Sequence, residues 1–211
     1  MIKRFLCLVA VLMSVPAFAD ALTDAVKEDY DKHLAGLFDH FHRNPELSTI
    51  EHETARRMAM ELSLAGFDVT EGVGGTGVVA MLENGDGPLV MMRADMDGLP
   101  VEEKSGLENA SRAKQIDPIT GNEVFVMHAC GHDVHITSLV GTARHMAAHK
   151  DEWTGTLLLV VQPAEERVIG ARAKREDKLW ERFGTPDYAL AFHVSAGDPA
   201  GKITVEEGDA Y

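Results

Sequence analysis

The chain has 211 residues, with 34 Asp and Glu against 20 Lys and Arg and a formal net charge of −14. That acidity argues against nucleic acid or an anionic membrane as a partner. Only two cysteines, Cys7 and Cys130, are present, too few for a disulfide framework.

Residues 1–19 have the layout of a secretory signal: Lys3 and Arg4, the apolar run Phe5 to Met13, then Ala17-Phe18-Ala19 before Asp20. The run is shorter than the ~20 residues a membrane-spanning helix needs. Cleavage after Ala19 would leave residues 20–211 as an exported, periplasmic or secreted domain. Its charge would be −16, from 18 basic and 34 acidic residues. In that mature chain Cys130 has no intrachain partner, so another chemistry is expected of it.

Leu34, Leu37, Phe38 and Phe41 keep helical spacing, which predicts a helix over Thr23 to Arg43 that stops before Pro45. A second helix is expected from Ile50 to Ala65, ended by Gly66. Gly77 to Glu83 and Pro88 to Arg93 read as strands, and Asn84-Gly85-Asp86-Gly87 between them predicts a hairpin. Val101 to Glu123 is polar and reads as a long loop that covers a site or is flexible. Ile136, Leu139, Val140, Ala143 and Ala147 place a third helix directly after the Cys/His segment. Thr156 to Gln162, Tyr188 to His193 and Lys202 to Glu206 read as strands, the first two as runs buried on both faces. Ala171 to Phe183 reads as a helix between them. The alternation predicts an α/β layered domain with a largely parallel sheet.

Ligands of such sheets gather beyond the carboxyl ends of the strands. There the sequence puts Arg93-Ala94-Asp95-Met96-Asp97, Pro163-Ala164-Glu165-Glu166 and His193, with Cys130 and His132 just before a helix. A divalent metal that activates water needs imidazoles, a carboxylate or thiolate, and an open position. Cys130, His132, Glu166 and His193 supply such a set, and Glu165 offers a carboxylate free to move a proton. Arg93, Asp95 and Asp97 are open to a plainer reading as a surface ion pair. His128 and His135 are either partners of the ligands or polar neighbours.

Pro45-Glu46-Leu47-Ser48 with Glu51 and Thr54, Gly74-Gly75-Thr76-Gly77-Val78-Val79-Ala80, Arg93 to Pro100, His128-Ala129-Cys130-Gly131-His132-Asp133, Gln162-Pro163-Ala164-Glu165-Glu166 and His193 occur in that order. Together they resemble the amidohydrolase branch of the peptidase M20 family. The resemblance implies a three-layer, zinc-peptidase-like catalytic domain with a mostly parallel central sheet and two divalent metal ions, manganese or zinc. It implies Cys130 as a bridging thiolate, with His132, Glu166 and His193 as further ligands. Glu165 would be the general base and then acid, and Asp95 a supporting residue behind the ligands, with Arg93 where other branches carry a histidine. The implied substrates are N-acyl amino acids or dipeptide-like conjugates. The resemblance also implies that residues 20–211 are an N-terminal part, truncated before an inserted lid and dimerisation domain, so that a homodimer belongs to the full-length enzyme. Two other readings are a thiol enzyme built on Cys130 and an exported fragment that binds metal without turnover.

Overall fold

The computed structural model describes residues 18–199 and 201–205. Residues 1–17 of the expected leader lie outside the described residues. The first helical stretch begins with α1 (Phe18–Asp29), passes through one π-helical turn (Tyr30–Leu34) and continues as α2 (Ala35–Arg43). It starts five residues before the expected Thr23 and ends where expected. Pro45 disfavours helical backbone at Asn44, which leaves the helix with φ −128° and ψ 51°. Leu34, Leu37 and Phe41 form its buried stripe. α3 (His52–Leu64) ends at Gly66, whose φ of 93° suits a residue without Cβ.

The chain then builds β1 (Asp68–Glu71), β2 (Val78–Asn84) and β3 (Leu89–Asp95). After them come a small ribbon of β4 (Lys114–Ile116) and β5 (Glu123–Phe125), α4 (His132–Ala148) and β6 (Gly155–Gln162). Last are α5 (Gly170–Glu176), α6 (Leu179–Phe183) and β7 (Tyr188–Ala191). The central sheet has the order β1-β2-β6-β3-β7. β6, β3 and β7 run parallel; on the β6 side β2 pairs antiparallel with β6, and β1 antiparallel with β2.

The expected hairpin of β2 and β3 does not form, because β6 sits between them and pairs with both. β6 is buried at seven of its eight positions, and that apolar run takes the middle of the sheet against the local turn signal at Asn84 to Gly87. The helix expected over Ala171–Phe183 is broken between α5 and α6 at Lys178, which has φ 58°. The loop expected over Val101–Glu123 contains β4, and the turn after β4 is held by Asp117, which accepts from Arg167 Nη2 at 3.0 Å. β7 contradicts its expected burial. It pairs only with β3, and Tyr188 and Leu190 are 64% and 59% exposed. Among the described residues, 202–205 form no strand, and Glu206 lies beyond them.

Alternating side chains of the sheet feed two cores. Leu157, Leu159 and Val161 of β6, with Val78, Ala80 and Leu82 of β2, pack toward α2, α3 and α4. Leu158 and Val160, with Val79, pack toward Leu179 and Phe183 of α6. The result is three layers: helices, sheet, helices. Each fully buried Leu of this kind contributes about 1.5–3 kcal/mol. The same burial fixes where the carboxyl ends of β3 and β6 lie, and pairing with β3 places that of β7.

Candidate metal centre

Asp95 and Gln162 are register partners at the ends of β3 and β6, so the segments that follow both strands leave the sheet side by side. The Glu165-Glu166 turn is assembled there by two buried carboxylates. Asp97 accepts the backbone N–H of Glu165 at 3.0 Å, that of Glu166 at 3.1 Å and the hydroxyl of Ser48 at 2.6 Å. Glu51 accepts the N–H of Ala164 at 2.7 Å and the Thr76 hydroxyl at 2.5 Å. Burial raises the pKa of the Glu51 carboxyl against those hydrogen bonds. For Asp97 burial pushes the same way, but His132, Ser48 and the Glu166 N–H outweigh it and keep the carboxyl below its ordinary range. The turn closes tightly, since a Cβ on Gly170 would stand 1.6 Å from the Pro163 carbonyl oxygen.

The Cys/His segment approaches from the helix layer. Gly131, with φ 73°, caps α4, and a Cβ there would meet Val194 Cγ2 at 2.5 Å. Glycine thus serves both the left-handed backbone and the close passage of the segment after β7. His132 opens α4 and is buried. Its Nε2 lies 3.7 Å from Asp95 Oδ2, 3.8 Å from Glu165 Oε2 and 3.8 Å from Glu166 Oε1. Nδ1 faces Asp97 Oδ1 at 3.4 Å.

The three oxygens around Nε2 are too far for hydrogen bonds, but they stand about as far from it as two ligands of one cation stand from each other, given metal–ligand bonds of roughly 2.0–2.2 Å. His132 Nε2 and Glu166 Oε1 are buried without a hydrogen-bond partner. The ligand atoms of Cys130, His132 and Glu166 all lie within 4.8 Å of one another, as do those of Asp95, His132, His135 and His193. Ligand types gathered this closely, with His132 Nε2 and Glu166 Oε1 left unpartnered among them, fit a divalent cation.

The other site residues fall into place around this point. His193 is exposed; its Nδ1–H donates to the Val194 carbonyl at 2.7 Å, which leaves Nε2 as the free lone pair. Arg93, Asp95 and Asp97 are not a surface ion pair. Arg93 Nη1 donates to Asp95 at 2.6 Å and Nε to Gln162 Oε1 at 3.0 Å, while Asp95 and Asp97 are buried. Burial alone would raise the Asp95 carboxyl, but the hydrogen bond from His135 and the charges of His132 and Arg93 hold it well below the usual carboxylate range. His128 is buried with both ring nitrogens unpartnered, and burial pulls it down to about 4, so it stays neutral.

Burial, a hydrogen bond to Glu166 and the surrounding carboxylates push the Cys130 thiol up to about 11. A nucleophilic cysteine needs the opposite, an electropositive setting that favours thiolate. The same negative field attracts a dication, whose charge deprotonates a coordinating thiol. The thiol-enzyme reading is therefore disfavoured at this cysteine.

Sequence reasoning missed the roles of Asp97 and Glu51 in shaping the Glu165-Glu166 turn. It also left His135 unassigned. The only signal for Asp97 and Glu51 is their place in the motif segments, since a lone buried carboxylate leaves no periodic pattern.

Fold and site together define an α/β domain with a cation-ready donor cluster at the carboxyl ends of its parallel strands. The chain belongs to peptidase family M20/M25/M40, whose family model matches residues 91–208. It is 37% identical over 187 residues to IAA-amino acid hydrolase ILR1-like 5 of Arabidopsis thaliana, covering 89% of this chain and 40% of the relative. It is 41% identical over 153 residues to hippurate hydrolase of Campylobacter jejuni, covering 72% of this chain and 37% of the relative. Among solved structures it superposes, with TM-score 0.74 and 32% identity, on the Bacillus subtilis YXEP protein, described as a dinuclear metal-binding peptidase of the M20 family. That match covers 86% of this chain and 47% of the other. The chain thus spans about 40% of the length of the curated relatives it matches.

Proposed function

We propose that the chain is part of a metal-dependent amidohydrolase that cleaves the amide bond of N-acyl amino acids or similar small conjugates. The observation that carries this reading is the convergence of ligand atoms from Cys130, His132 and Glu166, with His132 Nε2 and Glu166 Oε1 buried and unpartnered, beside Glu165, a carboxylate that the set does not need. Cys130, His132, Glu166 and His193 would hold two divalent cations, manganese or zinc. The Bacillus subtilis relative, described as dinuclear, supports the count. Once bound, the cations would supply Lewis-acid polarisation of the amide carbonyl and acidification of water.

The chain's own residues do the rest. Glu165, whose side chain is 37% exposed on the open side of His132, takes a proton from the attacking water and returns it to the leaving amine. Water adds to the carbonyl carbon, the C–N bond breaks, and an acid and an amine leave. Asp97 fixes the backbone of Glu165 and Glu166 so that one carboxylate ligates while its neighbour faces substrate. Asp95 sits behind the ligands, bound to Arg93 and His135. The leader-like residues 1–19 make export part of the same proposal.

In a chain completed to the length of its relatives, Glu165→Gln is expected to lower kcat on an N-acyl amino acid by about 10²–10⁴-fold. Metal content should stay unchanged. Retained turnover at normal metal content would remove Glu165 as the base.

A further inference from the structure

His135 lies one helical turn beyond His132 on α4 and is fully buried. Its Nδ1 is 2.6 Å from Asp95 Oδ1, and its Nε2 receives the backbone N–H of Val194 at 3.0 Å. A ring nitrogen that accepts a peptide N–H carries no proton, so the proton sits on Nδ1 and is donated to Asp95. Both nitrogens are then engaged. Although His135 clusters with Asp95, His132 and His193, it has no lone pair left for a cation.

What it does hold is the segment after β7. Its ring packs against Phe192, with centroids 5.2 Å apart at 70°, and against His193, 4.4 Å apart at 61°. That segment follows an exposed edge strand paired only with β3, and His193 has its Nδ1 turned to the adjacent Val194 carbonyl. Among the described residues, the bond from Val194 N–H to His135 is the one hydrogen bond between a buried side chain and residues 192–195.

We propose that His135, as the Nδ1–H tautomer, is a positioning residue: it links the buried Asp95 carboxylate to the Val194 backbone and so holds His193 where it can ligate. This inference rests on the metal-centre reading, and it gives the His135 imidazole a role distinct from ligation. Partners behind a ligand typically change metal affinity by about 10–100-fold.

The test is Co2+ titration of the 211-residue chain, followed by absorption, with folding checked by circular dichroism. In His135→Asn the amide nitrogen can still donate to Asp95, but nothing reaches the Val194 N–H. Co2+ affinity is expected to fall about 10–100-fold. In His135→Gln the side-chain carbonyl can accept the Val194 N–H, and the loss should be smaller. Because His135 acts through His193, the Asn substitution should have no further effect once His193→Ala is present, which makes the double-mutant cycle strongly non-additive. Val194→Pro, which deletes the donor and leaves His135 untouched, should reproduce the Asn loss. Wild-type binding with unchanged affinity in His135→Asn, or an additive cycle, would overturn this inference alone. A wild type that binds no Co2+ at Cys130 would overturn the metal-centre reading and this inference with it.

Discussion

Replacing Lys174 with methionine is expected to raise the unfolding free energy at pH 7 by roughly 2–4 kcal/mol. Lys174 lies on α5 and is 2% exposed. Burial pulls its amine from 10.5 down to about 7, and Arg93 adds to the drop while Asp95 opposes it. Folding therefore disfavours the ammonium that the unfolded chain carries up to about pH 10.5. The penalty is complete below about pH 7 and fades as pH rises toward 10.5. At ~1.4 kcal/mol per pH unit, the gap bounds the penalty near 5 kcal/mol. Methionine keeps an unbranched stem of similar volume and carries no charge. Urea denaturation at pH 7 and pH 9 checks both parts: the wild type should be more stable at pH 9, and Lys174→Met should lose most of that dependence. Equal stability of the two proteins at pH 7 would show that the ammonium is solvated or paired.

The second large effect is expected at Asp97. Three donors converge on this carboxylate, the N–H groups of Glu165 and Glu166 and the Ser48 hydroxyl, with His132 Nδ1 facing it as well. Asp97→Asn keeps the size but puts an NH2 group where only acceptors are useful, so buried donors lose their partner. Each unsatisfied buried group costs about 1–3 kcal/mol. The unfolding free energy should fall by about 2–4 kcal/mol. Because the turn that presents Glu166 loosens, Co2+ affinity should also fall by about tenfold or more. Stability and affinity measured on the same preparation decide this. Loss of stability with intact metal affinity would mean that the turn is shaped by Glu51 and Gly170 without Asp97.

The layered fold was legible because its signals are periodic. The apolar stripe of α2, the spacing in α4 and the continuous run in β6 each report a buried face. Pairing was less legible. Asn84 to Gly87 reads as a hairpin turn whether the two strands touch or admit β6 between them, and only the burial demanded by Leu157 to Val161 separates the cases. The apolar run of β7 shows only that a strand can be covered, whereas Tyr188 and Leu190 are exposed on an edge.

At the site, strand ends marked Asp95, Glu165, Glu166 and His193, and the density of ligand types marked Cys130 and His132. Asp97, Glu51 and His135 work through hydrogen bonds to backbone N–H groups 59 to 113 residues away in the sequence. Such partners are set by the tertiary fold and leave no local trace in the sequence.

Cys130, His132 and Glu166 are expected to meet around a cation at the carboxyl ends of β3 and β6. Co2+ titration of the chain at neutral pH, followed by near-ultraviolet absorption, tests it most directly, since a cobalt–thiolate bond gives a charge-transfer band that oxygen and nitrogen ligands lack. A saturable band is expected, one that disappears in Cys130→Ser and weakens sharply in His132→Ala. No band in the folded wild type, or a band that persists in Cys130→Ser, would contradict it.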